Sequence, residues 1–182
     1  MKIRLTLCFA ALSLVACAED PTPLTAPNVP PELQVSDSEQ VAFMAHGKGD
    51  QIYVCVNNAN GEQFGWTLRA PEAKLTDNAG KEVGQHYIGP TWKWADGSHT
   101  KGKVITSSRS PDPTAISWLL LASFDHSDEG TLSHITSIQR INTKGGRAPN
   151  TGCDGSHLNT EVRVPYSADY YFYVRATPRK RE

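Results

Sequence analysis

From about residue 41 to residue 175, apolar residues either alternate with polar ones or gather in short runs, and no long stretch keeps the spacing of an amphipathic helix. The segments VAFMAH (41–46), QIYVCV (51–56), GWTLRA (65–70), AKLTD (73–77) and GKVITSS (102–108) read as short strands. Asn60-Gly61, Asn78-Ala79-Gly80 and Asp96-Gly97 supply the turn residues between them. The run AISWLLLASF (115–124) is apolar without interruption, which suits a strand covered on both faces.

The C-terminal segment EVRVPYSADYYFYVRA (161–176) begins with Val162 and Val164 on one side and Glu161 and Arg163 on the other, then becomes a run rich in aromatic, strand-favouring residues. In TLSHITSIQRINT (131–143), Leu132, Ile135, Ile138 and Ile141 recur every three residues and Gly145-Gly146 could stop a helix. The Thr and Ile content assigns the segment to strand instead. Asp96-Gly97-Ser98-His99 and Asp154-Gly155-Ser156-His157 repeat one tetrapeptide, which two similar turns leading into strands explain without a duplication. The pattern predicts an all-β fold: one domain over residues 38–177, a sandwich or flattened barrel of mostly antiparallel strands.

Upstream the pattern changes. After Lys2 and Arg4, an apolar run from Leu5 to Ala16 is too short to span a bilayer but long enough for the core of an export signal. It ends in Leu14-Val15-Ala16-Cys17, which resembles the lipobox of bacterial lipoproteins and makes Cys17 the expected lipidation site. Residues 1–16 are then the signal peptide, and 17–37, rich in proline and without hydrophobic period, a tether. Residues 178–182 form a short tail containing Arg179-Lys180-Arg181. The expected location is the bacterial cell envelope, with the lipid anchor in a membrane and the domain facing periplasm or exterior.

Export changes the reading of the cysteines. Cys8 leaves with the signal and Cys17 takes the lipid, so Cys55 and Cys153 remain as a pair, expected to form a disulfide. They lack the close Cys and His spacing of a structural zinc site. Charge argues against a nucleic-acid partner: the 18 Lys and Arg less Lys2 and Arg4 leave 16 against 19 acidic residues, a net −3.

Candidate chemistry concentrates in GQHYIGPTWKWADGSH (84–99). Trp92 and Trp94 flank one residue on a strand and share a face, whereas His86 and Tyr87 face opposite ways. As a binding surface, Tyr87, Trp92 and Trp94 would stack on the apolar face of a sugar, with His86, Asp96 and Arg140 as polar partners. As part of the fold, the tryptophans would be core and Asp96-Gly97 a turn. The loop NTKGGRAPNTGCD (142–154), tied down by the disulfide, is a further place for binding residues. There is no Gly-x-Ser-x-Gly, Walker loop or His-Glu-x-x-His, and the six histidines are scattered.

GDQIYVC, VGQHYIGPTWKWADGS, AISWLLLAS, IQRINTKGGRAPNTGCD and VPYSADYYFY, in this order from about Gly47 to Tyr173, resemble the family known as domain of unknown function 3455, found in exported bacterial proteins and in fungi. The chain departs from that pattern at Ser117, where proline more often precedes the tryptophan. The resemblance implies an exported single-domain β-protein and brings no catalytic residues. Some fungal members carry a dehydrogenase label, but no Gly-x-Gly-x-x-Gly occurs in this sequence. The expectation is a lipid-anchored envelope module that binds a glycan or another envelope polymer, or serves structurally, without cofactor or metal. The alternative is a hydrolase or metal-dependent enzyme using His86, Asp96 and Glu161.

Overall fold

The computed structural model describes residues 24–57 and 63–177; the expected signal peptide and lipidation site at Cys17, the turn expected at Asn60-Gly61 and the tail expected at 178–182 lie outside them. A 3-10 turn at Pro31–Leu33 precedes eight strands: β1 (Glu39–Asn57), β2 (Phe64–Thr76), β3 (Glu82–Tyr87), β4 (Thr91–Trp94), β5 (His99–Ser108), β6 (Trp118–Phe124), β7 (Ser137–Gly145) and β8 (Glu161–Arg175). Each pairs antiparallel with the next, and β8 returns to β1, so one sheet closes on itself as a flattened ring. Closure leaves no edge strand to be capped, which is how an all-antiparallel chain of this length protects its backbone hydrogen bonds.

Two strands are longer than the hydrophobic runs predict. VAFMAH and QIYVCV are one strand, β1, and GWTLRA and AKLTD are one strand, β2. Gly47 and Gly49 therefore lie inside β1. A Cβ at Gly47 would lie 2.6 Å from the Tyr170 ring, and one at Gly49 would lie 2.0 Å from the Glu72 carbonyl oxygen. Gly47 leaves room for the Tyr170 ring, and Gly49 lets the main chain of β2 approach closely.

The inner face carries Ala45, Leu75, Trp92, Leu121, Ile138, Tyr166, Tyr170 and Phe172, all buried in one cluster. Across β6, Leu120 faces the other way and joins Ile141, Val29 and Leu33 in a second, outer cluster. The run at 115–124 thus has both faces covered, as its composition predicts, although the strand itself begins only at Trp118.

That outer cluster corrects the extent of the tether. Leu33 is fully buried, and the Gln139 amide donates to the Leu33 carbonyl at 2.6 Å. The stretch from about Val29 is docked on the outside of β6 and β7, because the sheet leaves Leu120 and Ile141 needing a cover that no other element provides. Proline content alone misreads a segment whose few apolar residues meet such a surface.

The three-residue spacing at 131–143 also resolves. Leu132 is buried in a turn over 131–134 and Ile135 in the link that follows it, and β7 starts only at Ser137. The loop expected at 142–154 is strand as far as Gly145. It leaves the sheet at Gly145-Gly146, both with positive φ (62° and 82°). The Cys55–Cys153 disulfide then ties the following loop to β1. The repeated tetrapeptides form the same turn: Asp96 Oδ1 accepts from Ser98 N and Oγ at 2.9 and 2.6 Å, and Asp154 Oδ1 from Ser156 N and Oγ at 2.8 and 2.6 Å.

Candidate functional site

The stretch 84–99 folds as a meander. β3 turns at Gly89, whose φ is 103°, into β4, which turns at Gly97, with φ 91°, into β5. Period-two geometry carries His86, Trp92 and Trp94 inward. Trp92 is 1% exposed, and Trp94 packs on Phe43 and Phe172 with ring centroids 4.9 and 6.0 Å apart. Both tryptophans therefore belong to the core cluster, and Tyr87 faces the opposite side from His86. The exposed platform of Tyr87, Trp92 and Trp94 does not form.

What does form is an internal aromatic group. His86 stacks on Trp92, and Tyr170 meets both rings edge-on, with centroids 5.2 Å from His86 and 5.6 Å from Trp92. His86 Nδ1 lies 2.9 Å from the Thr91 carbonyl, which can only accept, so the proton sits on Nδ1. Burial lowers the His86 pKa to about 3, and the nearby Arg140 guanidinium acts in the same direction, so the imidazole is neutral.

These rings form one wall of a cavity of about 270 Å³ at one end of the ring. Leu68, Ala70, Pro71, Pro90, Val104, Leu119 and Leu121 complete most of its apolar lining, and Gln51, Arg69 and Arg140 are its polar members. No carboxylate lines it. Gln51 and Trp92 are both buried; the Gln51 amide acts as a donor toward the Tyr166 hydroxyl, whereas among the described residues Trp92 Nε1 has no hydrogen-bond partner, which costs about 1–3 kcal/mol for a buried donor.

Arg140 is inward-facing on β7, next to Leu119 on β6 and Tyr170 on β8. Its Nε and Nη2 donate to the Ser117 carbonyl at 3.2 and 2.8 Å, which fixes the guanidinium. Its charge also acts on Tyr53 and Tyr170, opposing the upward shift that burial gives both phenols. Arg140 borders a second, larger cavity of about 640 Å³, lined also by Tyr53, Arg109, Asp112, Ile116, Ser117 and Arg147.

The remaining sequence candidates lie elsewhere. Asp96 accepts from Ser98 through Oδ1 and from Thr131 N and Oγ1 through Oδ2, at 2.8 and 2.7 Å. With the Ser98 hydroxyl as the largest contributor, these bonds hold its carboxyl well below the usual range and tie the β4–β5 turn to the segment before β7. Glu161 pairs with Arg69. His86, Asp96 and Glu161 are therefore not brought together, and among the described residues no group of three or more His, Cys, Asp or Glu could hold a metal ion.

His86, Trp92 and Arg140 are thus the sequence candidates that meet. Gln51, Tyr170, Arg109 and Arg147 were not legible as site residues. Arg147 alone had a signal, since it lies in the loop that the disulfide tethers.

A family model described as "Protein of unknown function (DUF3455)" matches residues 35–174. No curated protein and no solved structure matches the chain.

Proposed function

The chain belongs to the DUF3455 family of proteins of unknown function, and on that premise we propose that it is a ligand-binding module of the cell envelope that takes a small, largely apolar molecule into the end of its β-ring. The observation that carries this reading is the cavity itself, where His86, Trp92 and Tyr170 meet aliphatic walls. Eight-stranded antiparallel barrels leave just enough interior for side chains or one small ligand. In this ring, side chains fill the end containing Phe43, Trp94 and Phe172, and the end beside Arg140 stays open.

Binding is favoured over the hydrolase reading because no carboxylate lines the cavity and His86 is neutral, with its Nδ1 proton committed to the Thr91 carbonyl. It is favoured over a surface glycan platform because Trp92 is enclosed. Placement at the envelope rests on the export signal and on the lipobox-like Leu14-Val15-Ala16-Cys17.

The neutral aromatic probe 2-naphthamide tests the proposal by calorimetric titration. It should bind the wild-type protein. Val104→Trp, at a half-exposed position lining the cavity, should weaken binding at least tenfold without changing the melting temperature. No binding by the wild type, or equal binding by Val104→Trp, would overturn the reading.

A further inference from the structure

We infer that the natural ligand is a small organic acid, with its apolar body in the cavity beside Trp92 and its anionic head among Arg140, Arg109 and Arg147. This rests on the proposed binding function and adds the charge and orientation of the ligand. Arg140 borders both the 270 Å³ cavity and the 640 Å³ cavity, and so stands where the two adjoin. One is walled by aromatic and aliphatic side chains, and the other carries the three guanidinium groups.

The arginines are not neutralised by partners. Among the described residues, the arginines in ion pairs are Arg69 with Glu161 and Arg163 with Asp50 and Glu72. Arg140 and Arg147 donate instead to the main-chain carbonyls of Ser117 and Pro113, bonds that orient a guanidinium without cancelling its charge. The one carboxylate in the outer cavity, Asp112, accepts from Thr114 N and Oγ1 at 2.8 and 2.7 Å. Three positive groups against one negative favour an anion, and fixed guanidinium N–H groups match a carboxylate.

Gln51 lines the inner cavity as Arg140 does, so the wall nearest the guanidinium is polar as well as aromatic. At ~30 Å³ of liquid volume per water, the inner cavity has room for about nine water-sized groups, the scale of one or two fused rings or a short acyl chain.

The test compares 2-naphthoate with 2-naphthamide, which have the same body and nearly the same shape and differ in charge. Wild-type protein should bind the acid at least tenfold more tightly than the amide. That preference should fall with rising salt and should drop at least threefold in Arg109→Gln combined with Arg147→Gln, because acid binding weakens more than amide binding. Arg109→Lys, which keeps the charge, should retain most of it. Equal affinity for acid and amide would overturn the anion inference and leave the cavity reading standing. Acid binding that responds to the arginine variants but not to Val104→Trp would overturn both the cavity reading and the proposed orientation of the ligand. Binding of neither probe would overturn both.

Discussion

His86 and Trp92 are direct register partners on β3 and β4, and their rings stack with centroids 4.3 Å apart and planes 13° from parallel. The pair turns a polar, titratable side chain into part of an apolar wall. The imidazole stays neutral because it is buried, with Tyr170 against its edge and the Arg140 charge nearby, and these outweigh the hydrogen bond it donates to the Thr91 carbonyl.

A buried neutral histidine makes stability depend on pH. In the unfolded chain the imidazole binds a proton below about pH 6.5, whereas in the folded protein its pKa is about 3. The unfolded state therefore binds more protons between these values, and stability falls as pH drops through that window. At ~1.4 kcal/mol per pH unit, the loss from His86 is about 2 kcal/mol by pH 5. Urea unfolding at pH 7.5 and pH 5 should show it, and His86→Asn should have the shallower pH dependence. Equal pH dependence in the two proteins would contradict the assignment.

The tryptophans should share a structural fate with unequal severity. Trp92→Ala, at an enclosed position, is expected to cost about 3–5 kcal/mol, and Trp94→Ala, at a half-buried one, about 2 kcal/mol. Denaturant titration measures both, and an effect below about 0.5 kcal/mol for either would contradict its place in the core.

Gly102 on β5 leaves space for Trp92. A Cβ there would meet Trp92 Cζ3 at 2.8 Å and Leu121 Cδ2 at 3.0 Å. Gly102→Ala should destabilise the fold by about 1–3 kcal/mol through overpacking. Gly65→Ala, where an added Cβ meets nothing, provides the control. Thermal melts of the two variants should differ clearly, and similar melts would show that the interior near Trp92 is loosely packed.

Membrane attachment should depend on Cys17. Cys17→Ser is expected to move the protein from the membrane to the soluble envelope fraction with its melting temperature unchanged, because the docked segment starts only near Val29. Continued fractionation with membranes would reject the lipid anchor.

Local chemistry accounts for much of the strand content and for several turns. Alternation puts Trp92 and Trp94 on one face whatever the fold, since successive strand side chains point to opposite sides. Asp96 and Asp154 make their turns through bonds to the second residue ahead, and Cys55 and Cys153 form the disulfide expected of them. The strand pattern leaves sandwich and flattened barrel both open, and closure is decided by β1 pairing with both β2 and β8, which no local pattern encodes. For the same reason the need for glycine at 47 and 49 shows only when Tyr170 and β2 stand opposite them. Val29 and Leu33 likewise read as tether until β6 and β7 present Leu120 and Ile141. The candidate site divides along the same line: residue type singled out His86, Trp92 and Arg140, but only ring closure set Gln51 and Tyr170 beside them and aligned Arg109 and Arg147 with Arg140. Strand period and turn chemistry act over a few residues and can be read in order along the chain, whereas a cavity is bounded by side chains far apart in sequence, whose meeting depends on the register of every strand between them.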